Sequence, residues 1–171
     1  MSLGRRITRI LLTGILLGGM PVGSAAQQTI SEVFREMPDS LLPTLSKNNR
    51  LDMLDFMASG MKAEVTNRLG GRSEMTALTD DSMCVRISQA LTVTCLLLTP
   101  EAPVDSCQQI VCMVRTYGLD ESTLHTVVDY YTPLWVPIQE KPSLSERDND
   151  RIGGLDLQTI LNWEDKTLKK D

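Results

Sequence analysis

The chain has one histidine, His125, three residues after Ser122 and four before Asp129, the residue types of a nucleophile–base–acid relay. Such a relay works only where the three side chains converge within hydrogen-bonding reach. Along a strand, side chains alternate between faces, so His125 and Asp129 share one face and Ser122 points to the other. An outward-facing strand histidine is therefore the reading for His125. Cys84 or Cys107 beside His125 would make a thiol nucleophile, but no local motif brings them together. Asp80-Asp81 is a pair of acids whose adjacent side chains point apart, which prevents cooperative acid–base work.

Metal and phosphate chemistry fare no better. Asp148-Asn149-Asp150 with Gly153-Gly154 resembles the start of a calcium loop, yet Ile152 occupies the fifth position and Thr159 the twelfth, where oxygen ligands belong. Cys107 and Cys112 are separated by four residues, which is not a zinc spacing, and the histidine is remote. Gly70-Gly71 lacks the Lys and Ser or Thr of a phosphate loop and reads as a turn. No catalytic, cofactor-binding or metal-ligating residue is expected, and no cofactor.

The elements that would position these residues begin after an address. Arg5, Arg6 and Arg9 precede the apolar run Ile10 to Met20, Pro21 and Gly23 break it, and Ser24-Ala25-Ala26 offers a small-residue cleavage site. This is the pattern of a secretory signal peptide over residues 1–26. The run falls short of the ~20 apolar residues that span a bilayer. Cleavage would remove three arginines and no acid, leaving 14 basic against 22 acidic residues, a net charge of −8. A chain of that sign is not built for nucleic acid, and no membrane span is expected once the signal is gone.

Thr29-Ile30-Ser31-Glu32 forms a capping box, with Ile30, Val33, Phe34 and Met37 at helical spacing before Pro38. Ser46 opens a second helix, with Leu51, Leu54, Ala58 and Met61 on one face, Met53 and Met57 broadening it, and Gly60 at its end. From Lys62 the period falls to two. Runs at 64–69, 72–79, 83–88, 91–99, 108–117 and 122–131, joined by short turns, form an antiparallel meander. The expected fold class is α+β, with N-terminal helices packed on an antiparallel β-meander sheet. Residues 27–140 form the α+β domain. Residues 141–171 are a polar linker and a C-terminal element (Leu155, Leu157, Leu161, Trp163) read as a last strand or a short helix, within the same domain.

Four cysteines in an exported chain raise the question of disulfides. A two-residue turn at Gln89-Ala90 pairs Cys84 with Cys95 but exposes Met83, Val85 and Ile87. A three-residue loop pairs Val85 with Val93 and Met83 with Cys95, and burial favours it. Cys112 alternates with Ile110 and Val114 and points inward, so Cys95 and Cys112 are the disulfide candidates, with buried free thiols as the alternative. The methionines fit the core faces. Met53, Met57 and Met61 would, alternatively, line an apolar ligand groove between helix and sheet.

Met37-Pro38-Asp39-Ser40-Leu41-Leu42-Pro43, Asn48 to Phe56, Met61 to Asn67, Gly70-Gly71, Ser73 to Asp81 and Pro103 to Cys107 resemble domain of unknown function family 3256. The members are secreted proteins of Bacteroides-type Gram-negative bacteria. The resemblance covers about two thirds of the chain and fades in the C-terminal tail. It implies a periplasmic or cell-envelope setting and transfers no activity and no site residue. The functional expectation is a noncatalytic periplasmic binding or interaction domain for a protein, peptide or apolar small molecule. The alternatives are a hydrolase-like envelope enzyme whose site converges from distant residues, and a structural component of an envelope assembly.

Overall fold

Both helices start where capping chemistry says they should. Thr29 accepts from the Glu32 amide while Glu32 reaches back to the Thr29 amide, opening α1 (Ile30–Arg35). Ser46 and Asn49 exchange the same reciprocal bonds at the head of α2 (Lys47–Ala58). Gly60, at φ 67°, takes the left-handed position that follows the end of α2. These are features of a computed structural model that describes residues 27–119 and 123–155. The stretch 1–26 read from its sequence as a signal peptide, Ser122, Thr159 and the expected strand residues Leu157, Leu161 and Trp163 lie outside the described residues.

Six strands follow: β1 (Ala63–Thr66), β2 (Arg72–Leu78), β3 (Ser82–Ser88), β4 (Leu91–Leu98), β5 (Ile110–Tyr117) and β6 (His125–Tyr131). They pair in chain order as one antiparallel sheet, so the fold is α+β. The helices are not confined to the region ahead of the sheet. Lys141 to Asp150, polar by sequence, leads into a helical segment at 146–155, started by Ser145, whose hydroxyl accepts from the Asp148 amide. The polar composition is that of the segment's outer side: Leu144 is buried, and Ile152 and Leu155 pack inward.

The β3–β4 register combines both sequence alternatives. Ser88 does pair with Leu91 across the two-residue turn, but an irregularity between Arg86 and Ser88 shifts the rest, so that Val85 pairs with Val93 and Met83 with Cys95. A bulge thus reconciles the tightest turn with burial of Met83, Val85 and Ile87.

One face of the sheet carries the larger core. Ile30, Val33 and Phe34 of α1 and Met53 and Leu54 of α2 pack on Met75, Met83, Val85, Val93, Cys95 and Met113. Each fully buried side chain of this size contributes about 1.5–3 kcal/mol. The second face is split. Its β1–β3 half is a charged surface where Glu64 meets Lys62 and Arg72, and Glu74 meets Arg86. Its β4–β6 half is apolar, with Leu96, Leu98, Ile110, Cys112 and Val114 under Leu144, Ile152 and Leu155.

The buried face of α2 is Arg50, Met53 and Leu54, with Met57 beside them; Ala58, and Met61 beyond the helix end, are exposed. Arg50 is only 1% exposed. It donates to Leu45 O at 3.0 Å, to Met37 O and to Asp39 Oδ1 at 2.9 Å. Arg68 holds the other Asp39 oxygen and donates to Pro43 O. Residues 37–45 are thus hung on two guanidinium groups.

Replacing Arg50 with Ala removes three hydrogen bonds and strands buried carbonyls, so unfolding in urea is expected to show a loss of about 3 kcal/mol. Asp39 has its carboxyl held below the reference 3.8 by the hydrogen bond from Arg50 first and that from Arg68 second. Its folded-state pKa is depressed, so its contribution is present above the unfolded value and is lost as pH falls through the folded one. The urea midpoint of Asp39→Asn should lie below that of the natural chain at pH 7, and the gap should close below about pH 4.

Candidate functional site

Among the described residues β6 is the last strand in the sheet, and its outer side is bounded by two later stretches of chain. The first is the return at Pro137-Ile138: Tyr131 bridges Pro137, and Ile138 N donates to Tyr130 O at 2.9 Å. The second is the 146–155 helix, which presents Asn149, Ile152 and Gly153. Between them lies an open cleft of about 720 Å³ along β6. Its apolar lining includes Val128, Tyr130, Ile138 and Ile152; Asp129, Gln139 and Lys141 are polar lining residues.

The turn that aims Pro137-Ile138 back at β6 is unusual. Trp135 has φ 63°, a left-handed conformation that a bulky side chain seldom adopts. It is held from several directions. Trp135 Nε1 donates to Val33 O at 2.8 Å, its ring meets Tyr131 at 5.7 Å, and Thr132 N donates to Val136 O at 2.9 Å. With Trp135 turned inward, its neighbours Leu134 and Val136 are left 80% and 54% exposed.

Electrostatics on the strand are settled by pairs. Arg115 Nη1 donates to Asp129 Oδ2 at 2.5 Å, and Arg115 also lies over Met113 Sδ at 3.4 Å. Tyr130, on the opposite face, has its hydroxyl pKa pushed up by burial and, secondarily, by the Cys112 thiol. Lys141 makes no ion pair among the described residues.

The sequence-derived candidates fall as follows. His125 is exposed at the start of β6, opposite Tyr117. Asp129 shares its face but is bound to Arg115. Asp81 pairs with Arg151, and Asp148 pairs with Arg151 while helping to cap the 146–155 helix. Among the described residues, no group of three or more His, Cys, Asp or Glu side chains is placed to hold a metal ion.

Cys95 and Cys112 are not brought together. Cys95 pairs with Met113 and Leu96 with Cys112, so the two thiols lie one residue out of register, on opposite faces of the sheet. Cys112 does point into a core, but into the second one, whose existence the alternation of a single strand does not reveal. All four cysteines are free. Burial drives the Cys95 thiol pKa upward, and raises that of Cys112 to about 12 with help from the Asp129 charge.

The three methionines of the groove reading have different surroundings. Met53 is fully buried in the main core, Met57 packs against it, and Met61 is 53% exposed. Helical spacing would put all three on one broad side, but α2 ends at Ala58 and the chain turns at Gly60 (φ 67°), so Met61 lies beyond the helix and faces outward. The cleft residues Ile138, Lys141 and Ile152 carried no sequence signal. They become neighbours only through the Trp135 turn and the folding of 146–155 onto the sheet.

The fold has a solved counterpart. A domain of an uncharacterized protein from Porphyromonas gingivalis W83 is similar with a TM-score of 0.53 and 18% identity, covering 75% of this chain and 68% of that one. No curated protein matches the chain. A family profile described as "Protein of unknown function (DUF3256)" matches residues 22–153. The chain belongs to that family. The match takes in β5 and β6 and runs into the C-terminal tail, over most of the 146–155 helix.

Thiol titration at pH 8 in the native state should modify Cys84 and Cys107, which are partly exposed, and leave Cys95 and Cys112 protected. All four should react after unfolding without reductant; a count of two would establish a disulfide.

Proposed function

We propose that the mature protein is a noncatalytic binding or interaction domain exported to the periplasm or cell envelope, which engages a partner through β6 and the turns beside it. The observation that carries the reading is where the exposed large apolar residues fall. Of seven among the described residues, five lie on the β5–β6 hairpin or the turn after it: Tyr117, Leu119, Val128, Leu134 and Val136. Scattered apolar residues are ordinary on a surface, whereas concentration on one element marks contact. The bases among the described residues, by contrast, are mostly engaged in ion pairs within the chain.

Export rests on the basic, apolar and small-residue pattern of residues 1–26. Among the described residues no helix is long and apolar enough to cross a membrane.

A photo-crosslinking residue placed at Leu134 or Val128 in exporting cells is expected to trap a discrete adduct, while one at Asn48 on α2 traps none. Absence of adducts from both Val128 and Leu134 overturns the interaction reading. The same preparation tests export: the recovered chain should begin at Gln27, and an intact residue 1 in the cytosolic fraction would remove the envelope assignment.

A further inference from the structure

The two edges of the sheet are treated differently. At β1, Glu64 is flanked by Lys62 and Arg72, so the edge carries charge of both signs, the usual protection against strand pairing. At β6, among the described residues, the backbone is covered by the return at Pro137-Ile138, which reaches Tyr130 and Tyr131, while the 146–155 helix stands across the cleft. Because Tyr130 O points away from β5 to meet Ile138 N, the backbone N–H and C=O of Val128, two residues earlier, also point away from β5. They face the cleft, and the Val128 side chain beside them is apolar and 36% exposed.

We propose that the cleft receives an extended peptide segment of a partner protein, added as a strand at Val128, with apolar side chains at alternating positions and one carboxylate. The proposal rests on the interaction reading above and names the kind of partner. Val128 offers the main-chain donor and acceptor. Tyr130, Ile138 and Ile152 offer apolar contact to every second side chain, since side chains of an added strand alternate. Lys141, an exposed cation on the cleft wall with no ion pair among the described residues, supplies the charge complement in a chain that is otherwise acidic. An edge strand with open backbone groups binds the peptide backbone itself, which a compact apolar molecule does not offer.

The test uses the mature chain 27–171 and a displayed library of random 12-residue peptides. Enriched peptides should show alternating apolar residues and a carboxylate. One of them, synthesised, should bind saturably. Val128→Pro removes the outward N–H and is tolerated on an edge strand; it should weaken binding at least about tenfold, the worth of a lost backbone pair. Val128→Lys, a charged edge residue that leaves the backbone intact, should do likewise and guards against a fold defect in the proline variant. Lys141→Glu should weaken binding about threefold, and less in high salt.

No enrichment, or equal binding by both Val128 variants, overturns strand addition. If crosslinks from Leu134 persist in those variants, the interaction reading stands while this proposal falls. Concentration-dependent dimers abolished by Val128→Pro would make a second copy the occupant. Peptide binding seen only after deletion of residues 156–171 would make that segment the occupant. Either result overturns the assignment to a partner.

Discussion

The guanidinium of Arg50 is the constraint from which much of the rest follows. A buried cation is tolerated only when its hydrogen-bonding capacity is largely used. Here the acceptors are the backbone at Met37 and Leu45 and the carboxylate of Asp39, all in the connection between α1 and α2. Satisfying Arg50 therefore fixes how that connection folds, and hence where α1 lies relative to α2. The position of α1 in turn presents Val33 O to the Trp135 indole. That bond holds the turn after β6, and the turn returns Pro137-Ile138 to the sheet edge. A cation on α2 and a cleft beside β6 are thus linked through successive contacts, each with a named donor and acceptor.

The sheet's two faces explain why the cysteines behave as they do. β4 is buried on both sides over Cys95 to Leu98, because helices α1 and α2 cover one face and the 141–155 stretch covers the other. Cys95 and Cys112 occupy different cores, and each thiol acts as a small apolar filler. An oxidising compartment permits disulfides but does not require them where packing leaves no sulfur within bonding reach.

Much of the fold was legible in the sequence because the signals were local. The Thr29 capping box, the helix start at Ser46, the Gly60 helix end, the six period-two runs and the turn at Gly70-Gly71 each depend on a few adjacent residues, and each appears in the structure; the second capping box, closed by Asn49, was not foreseen. The β3–β4 register was legible through burial, although the bulge that makes both pairings possible was not. Three things were not legible for a common reason: they depend on contacts between residues far apart in the chain. The inward turn of Arg50 needs the carbonyls of the preceding connection. The second core needs Leu144, Ile152 and Leu155, whose polar neighbours mask them. The cleft needs β6, 137–141 and 149–153 together, and no window of sequence contains all three.

Trp135 shows how such a site can be kept in place. A left-handed conformation at a bulky residue costs of order 1–3 kcal/mol and persists only where the surroundings over-determine it. The surroundings here are an indole hydrogen bond to α1, a ring contact with Tyr131 and a closed backbone turn on Thr132. If the turn served only to cap the core, an inward tryptophan with an ordinary φ and a polar tip would suffice. Instead the backbone conformation that buries Trp135 also leaves Leu134 and Val136 projecting, and brings Ile138 against the open edge of β6. The strain at Trp135 therefore shapes the surface beside β6 as well as the interior that the indole fills.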